Sequence, residues 1–425
     1  MLKQLRQKTY HLLRWSERHT KTDMVYLAKG GFWLSATHVV TALSSLVVAI
    51  SFANLLPKET YGTYKYILSI VSILGISTLT DINTSLTQAV AKGYQGSFLP
   101  ALKTCIKGGL LGSLGSLAVA GYYFSQQQNT LGIAFLVAAI FIPLMDPLSI
   151  YNAYLQGKKN FKLSSQLNIL SRIAYTIAIV AFLMLNHNVI LLLAVYFGIY
   201  TLTRYLSFRY VQKKFDYSEE KDASIITYGK HLTFMNIIAG IAGQLDKILV
   251  FHYLGTAQLA IYAFATSIPE QFKTIFKNLY SLAFPKLAEK SDSEVKKVIF
   301  KKTGQLMIIG TIMTIGYVII APFVFRWFLP QYLDSLLFSQ IFALSFILHP
   351  GGLLVAAMQS QKLQKELYQL NTITPILQII ILFVFLFYYG LMGLIIARVL
   401  IRFVYFLTTA VIMIRAKPKN SIPQL

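Results

Sequence analysis

Two arginines four residues apart, Arg398 and Arg402, stand inside the apolar run 391–414. That spacing puts both on one face of a helix, about one turn apart. Guanidinium groups grip phosphates and carboxylates bidentately, so this face is a candidate anion site. A second apolar run, 257–284, carries Glu270, Lys273, Lys277 and Ser281 at three- and four-residue spacing just after Pro269. Other runs carry Thr78, Asp81, Ser85 and Gln88; Asn168, Arg172 and Tyr175; and Asn236, Gly240, Gln244 and Lys247, with Asp246 beside the last. A charge inside an apolar helix is costly unless it meets water, a partner or a substrate. Stripes on so many segments fit a hydrated central cavity. The chemistry on offer is ion recognition rather than covalent catalysis. There is no phosphate-binding glycine loop, HExxH or Ser/His/Asp spacing. Cys105 is the only cysteine, which excludes intrachain disulfides and cysteine-based metal clusters, and no metal site is expected.

The segments that must position these groups dominate the chain. It is 55% hydrophobic and only 13% charged over 425 residues, too little charge to clothe a soluble body of that size. The apolar runs are 28–55, 65–91, 102–124, 131–155, 166–186, 188–210, 226–251, 257–284, 302–328, 335–360, 366–388 and 391–414. The expected fold is therefore an all-α integral membrane protein of about twelve transmembrane helices.

The connections alternate in charge. One set holds Lys3 to Lys29, Lys92/Lys103/Lys107, Lys158/Lys159/Lys162, Arg209/Lys213/Lys214, the lysines from Lys286 to Lys302, Lys362/Lys365 and Arg415/Lys417/Lys419. The other set holds only Lys58, Lys65 and Arg326. Cationic loops resist translocation, so the first set is expected in the cytoplasm, with both termini. The net charge of +23 is then explained by topology and anionic head groups, not by nucleic acid. The expected organisation is a basic amphipathic cytoplasmic segment at 1–27, a first lobe at 28–210, a charged loop at 211–225, a second lobe at 226–414 and a cytoplasmic tail at 415–425.

Two windows at constant offset suggest that the lobes are repeats. Leu56, Tyr64, Tyr66 and Ser69 match Leu254, Tyr262, Phe264 and Ser267. Both follow expected outer turns, and their aromatics suit the head-group layer. Helix breakers mark candidate kinks at Asp146-Pro147, Pro269, Pro322, His349-Pro350-Gly351-Gly352 and Pro375.

Several stretches resemble the Wzx-type oligosaccharide-lipid flippases of the multidrug/oligosaccharidyl-lipid/polysaccharide (MOP) exporter superfamily. They are Lys29-Gly-Gly-Phe-Trp, Leu55-Leu-Pro-Lys-Glu-Thr-Tyr-Gly-Thr-Tyr64, Gln244-Leu-Asp-Lys-Ile-Leu-Val with Tyr253-Leu-Gly-Thr-Ala-Gln-Leu-Ala-Ile-Tyr262, and Leu282-Ala-Phe-Pro285-Lys-Leu. The resemblance implies two six-helix lobes around a central cavity. It also implies alternating access carrying an undecaprenyl-pyrophosphate-linked glycan across the cytoplasmic membrane for surface polysaccharide synthesis. Lys273, Lys277, Arg398, Arg402 and Arg172 are the expected head-group cations. Glu270, Asp246, Asp81 and Pro269 are the expected coupling and gating positions. No cofactor is expected, and the sequence does not decide between H⁺ and Na⁺ as a coupling ion. Membrane lipids, a polysaccharide polymerase and glycosyltransferases are candidate partners. A drug exporter of the same superfamily would favour an acidic cavity, and a lipid II flippase usually has extra helices. A membrane glycan polymerase or glycosyltransferase would need a substantial outer loop, which this chain lacks.

Overall fold

The structure, a computed structural model, describes residues 24–215, 220–222, 224–288, 292–361 and 363–416. The expected amphipathic segment at 1–27 falls almost wholly outside them. Fourteen α-helices run through the described residues: α1 Met24–Leu55, α2 Lys58–Leu74, α3 Ile82–Ala91, α4 Phe98–Ser125, α5 Asn129–Met145, α6 Ile150–Gly157, α7 Phe161–Leu185, α8 Val189–Lys214, α9 Ser224–Leu254, α10 Thr256–Ala288, α11 Asp292–Phe328, α12 Ser335–Ala343, α13 Gly351–Ser360 and α14 Gln364–Arg415. No strand occurs among the described residues. Helices satisfy every backbone polar group internally, which a hydrocarbon environment demands.

Nine of these stretches are long and apolar enough to cross a membrane, and the bent pair Lys58–Thr78 with Ile82–Ala91 makes a tenth. The 52-residue α14 is two crossings, because Gly390 adopts φ 55°, ψ −136° in its middle. Gln378 and Arg402 accordingly line the same cavity, which a straight helix would forbid. The 33-residue α10, with its charged stripe, is not among these stretches. Several crossings are broken where the sequence places helix breakers. A 3₁₀ turn, Pro147–Ser149, separates α5 from α6 after Asp146, and another, Leu344–Ile347, precedes the His349-Pro350 break between α12 and α13. The break between α2 and α3 has no proline; Leu79 turns it with a left-handed φ of 56°.

In chain order, α1–α8 make up the first half and α9–α14 the second. Within the first half α4 packs on α5, α1 on α7, and α8 on both α5 and α7. In the second, α9 packs on α14, and α10 on α12 and α13. The bent α2–α3 crossing joins the halves, with α2 lying against α9 and α10 and α3 against α9.

The hydrophobic cores show how the halves meet. At the end with the short connections, one continuous core spans both halves and contains Phe52, Tyr61, Tyr64, Tyr262, Phe264 and Tyr332. At the end with the basic connections there are two separate cores. One is built on α3, α4, α6 and the start of α9; the other is built on α11, α13 and the end of α14. Among the described residues the core is thus continuous at the short-loop end and in two parts at the basic-loop end. Lipid tails are as apolar as leucine, so this seal rests on close packing and polar contacts rather than on water exclusion alone. Tyr61 stacks on Phe264 at 4.8 Å between ring centroids, and Phe264 lies 4.1 Å from Tyr332. Asn54 Nδ2 donates to the Phe328 carbonyl at 2.8 Å, and Lys58 pairs with Asp334 at 3.2 Å.

Two sequence expectations are corrected here. Tyr64, Tyr66, Tyr262 and Phe264 do not face outward from the protein; all are buried in the seam and the helix packing around it. An aromatic that closes a seam and one that anchors a membrane surface look alike beside a turn. Lys65 is not a loop charge either. The second crossing starts at Lys58, earlier than the expected 65, so Lys65 lies about two turns inside it.

Candidate functional site

A cavity of about 770 Å³ opens within the second half. Its walls come from α9 (Asp246, Lys247), α10 (Glu270, Lys273), the α12–α13 break (His349) and α14 (Arg398, Arg402). Lys65 on α2 reaches the same cavity from the first half.

The local folding of each wall follows from its sequence. α14 doubles back at Gly390, whose dihedrals an L-residue side chain would strain, and this returns Arg398 and Arg402 alongside α9 and α10. Their four-residue spacing then aims both at one place. The His349-Pro350 break frees the chain from α-helical geometry and turns the His349 ring toward Arg402. Tyr280 Oη donates to the His349 carbonyl, holding that break in position.

The charged groups form one connected cluster. Arg398 donates through Nη1 to Asp246 Oδ2 and through Nη2 to Glu270 Oε1, both at 2.9 Å. Arg402 Nη2 donates to the same Glu270 oxygen at 2.6 Å. Its Nη1 lies 2.9 Å from His349 Nδ1, which must be unprotonated to accept. Tyr262 Oη donates to Asp246 Oδ2 at 2.5 Å. Both guanidinium groups lie over the Phe342 ring, at 5.8 Å and 5.5 Å from its centroid. Asp246 is almost fully enclosed, its side chain 3% exposed, while Glu270 keeps 28%. Charge-assisted contacts of this kind are the strong ones, and each arginine is held at more than one point.

The cluster is not neutral over the whole cavity. Among the described residues, Lys65, Lys247, Lys273, Arg398 and Arg402 line it against two carboxylates, Asp246 and Glu270, a formal excess of three positive charges. Lys247 Nζ donates to Gln244 Oε1 at 2.8 Å. A cavity of this size holds a drug-sized or head-group-sized ligand, and its charge favours an anion.

The residues singled out from sequence fall in different places. Arg398, Arg402, Glu270, Asp246 and Lys273 come together in the cavity. Pro269 is buried within α10, which continues helically through it. The side chain of Lys277 lies outside the described residues. Asp81 accepts from Asn236 Nδ2 at 3.2 Å and so ties the α2–α3 crossing to α9. Arg172 is in the other half and does not line this cavity. It donates to Tyr200 Oη at 3.0 Å and to Ser45 Oγ at 2.5 Å, with its guanidinium 5.0 Å from the centre of the Tyr175 ring. There it belongs to a tyrosine cluster in which Tyr196 contacts Tyr64, Tyr175 and Tyr200. Sequence reading missed Lys65 and His349 as cavity residues. His349 carried a signal, its place in a run of helix breakers; Lys65 carried none beyond its charge.

Long apolar helices packed around a charged cavity are the architecture of a multi-pass membrane protein. The fold agrees with solved transporters. A multidrug resistance MATE family transporter of the MOP superfamily in its outward-facing conformation superposes with a TM-score of 0.62 at 13% identity, covering 91% of this chain and 95% of that one. An inward-facing conformation of a MATE family transporter of the same superfamily gives 0.61 at 12% identity, covering 88% and 94%. A mutant Vibrio cholerae MATE transporter gives 0.56 at 12% identity, covering 92% and 96%. No curated protein matches the sequence. The profile of the polysaccharide biosynthesis protein family matches residues 27–270. The chain belongs to that family.

Proposed function

We propose that the protein is a flippase that moves a lipid-linked oligosaccharide, joined to its undecaprenyl carrier through a pyrophosphate, from the inner to the outer leaflet of the cytoplasmic membrane. The observation that carries this reading is the excess of three positive charges around the cavity. A pyrophosphate diester supplies about two negative charges and needs forked donors such as Arg398 and Arg402. The sugars would lie in the rest of the cavity and the lipid tail would stay in the bilayer. The sealed short-loop end and divided basic-loop end fit a state that loads from the basic-loop side, which the charge rule assigns to the cytoplasm.

Asp246 and Glu270 have a definite part in this reading. They hold the arginines while the cavity is empty, and an entering pyrophosphate competes with them. Freed carboxylates are then the natural place for a coupling H⁺ or Na⁺. Export of cationic small molecules is the second reading, favoured by the similarity to multidrug transporters. It needs carboxylates open to a cation, whereas both cavity carboxylates here are engaged by arginine.

The test is reconstitution of the purified protein in liposomes. The expected result is movement of an undecaprenyl-pyrophosphate glycan across the bilayer, abolished in whatever fraction of Arg398→Ala/Arg402→Ala protein elutes as a folded species. Transport of a cationic dye without transport of the glycan lipid would reverse the assignment.

A further inference from the structure

The cavity lies in the second half, yet Lys65 enters it from the first. Its position follows from the α2 surface that seals the short-loop end. Gly62 lies so close to α10 that a Cβ built on it would stand 1.8 Å from the Thr256 carbonyl oxygen. Tyr61, beside it, stacks on Phe264, and Lys58 pairs with Asp334. Lys65 lies three and four residues after these two sealing positions, so it shares their face of α2. Its Nζ sits 5.2 Å from the centre of the Tyr61 ring, one turn toward the short-loop end, and Lys65 lines the cavity together with Lys247.

We propose that Lys65 is a substrate-binding residue whose contribution depends on the state of the protein: it completes the anion site while the short-loop end is sealed and leaves with α2 when that end opens. The proposal rests on the anion-carrier reading above. Opening the short-loop end must separate Gly62 from Thr256 and Tyr61 from Phe264. Because Lys65 is rigidly part of the same helix, that separation also removes one cation from the cavity. The Asp246, Glu270, Arg398 and Arg402 cluster belongs wholly to the second half and is joined by its own ion pairs. The site is therefore more positive when closed to the short-loop side than when open to it, which drives release of an anion there. One charge–charge contact in a partly buried site amounts to a tenfold or larger change in affinity.

The experiment uses full-length protein with Cys105→Ser, Lys58→Cys and Asp334→Cys, sealed by a short bifunctional maleimide. Binding of inorganic pyrophosphate is measured by calorimetry. Sealed protein with Lys65 should bind at least about tenfold more tightly than sealed Lys65→Gln or Lys65→Met. The Met variant keeps the apolar stem against Tyr61 should the Gln variant not fold. Sealed Lys65→Arg should keep the tight binding. In unsealed protein carrying Gly62→Val, which cannot close, neutralising Lys65 should have little effect. Equal binding by Lys65 and its neutral variants in the sealed state, or an equal loss in both states, overturns the state-dependent role while leaving the anion site standing. No pyrophosphate binding by any sealed variant, Lys65 included, removes the anion-site reading itself.

Discussion

Arg398 on α14 and Asp246 on α9 are 152 residues apart in the chain and 2.9 Å apart in the fold. The pair is deeply enclosed, and Arg398 spends its second terminal nitrogen on Glu270. The two arginines noticed first as an anion site are thus also the structural partners of two carboxylates. Function and stability are coupled at these positions.

That coupling separates two variants. Arg398→Ala leaves Asp246, 3% exposed, without its cation and with only the Tyr262 hydroxyl and the Lys247 backbone N–H as donors. Removing one partner of a buried pair costs about 3–5 kcal/mol. Folded Arg398→Ala protein should therefore fall sharply in fluorescence-detected size-exclusion chromatography. Adding Asp246→Asn should restore the amount without restoring transport. Full yield from the single variant would show that the pair is not holding the helices together.

Glu270→Gln should act differently. It loosens the restraint on both arginines and leaves them charged. Pyrophosphate should bind more tightly, while turnover of the lipid-linked substrate falls because release slows. Unchanged affinity together with unchanged turnover would reduce Glu270 to a structural bridge.

Closure at the short-loop end should be sensitive to the volume of residue 62. The Cβ of Gly62→Val, built on this backbone, would collide with the Thr256 carbonyl, and backbone cannot yield as a side chain does. A cysteine at Ser267, in the Cys105→Ser background, should then react faster with an impermeant maleimide from the short-loop side than it does with Gly62 present. By contrast, Asp334→Asn should change that rate only slightly, because Asp334 is 69% exposed and such surface pairs contribute at most about 1 kcal/mol.

Gly390→Ala should weaken the turn between the last two crossings. Non-glycine residues held in such sparsely populated dihedrals cost about 1–3 kcal/mol. The expected outcome is a lower melting temperature. The return of Arg398 and Arg402 to the cavity depends on this turn, so substrate affinity should fall with it.

Orientation can be checked independently. In the Cys105→Ser background, a cysteine at Ser125 should label from outside intact cells, whereas one at Lys92 should label only after permeabilisation. The opposite pattern would invert every statement about loading and release.

The positions of the crossings were legible because long apolar runs and alternating basic loops are local signals. So were the arginine pair and the breaks at Asp146-Pro147 and His349-Pro350. What escaped was pairing across distance. Nothing near Asp246 in the chain announces Arg398, and its neighbour Lys247 draws attention away from it. Arg172 looked equivalent to Arg398 because both are arginines on polar stripes, yet it faces the tyrosines of the other half. Lys65 was assigned to a loop because the charged residues after Pro57 hide the start of α2. The bend before α3 was invisible, since Leu79 is an unusual residue to adopt a left-handed conformation.

The unbalanced charge of the cavity also bears on energetics of a different kind. The described lining residues carry a formal excess of three positive charges within the membrane's electric field when the carrier is empty. A pyrophosphate-linked substrate cancels most of them. Each elementary charge moved across the full potential is worth about 2.3 kcal/mol per 100 mV. With the cell interior negative, the voltage should act weakly on the loaded carrier. It should act strongly on the empty one, drawing its surplus charge back toward the cytoplasmic side. The resting potential would then reset the transporter after each delivery, giving direction to the cycle without any nucleotide being consumed by this chain.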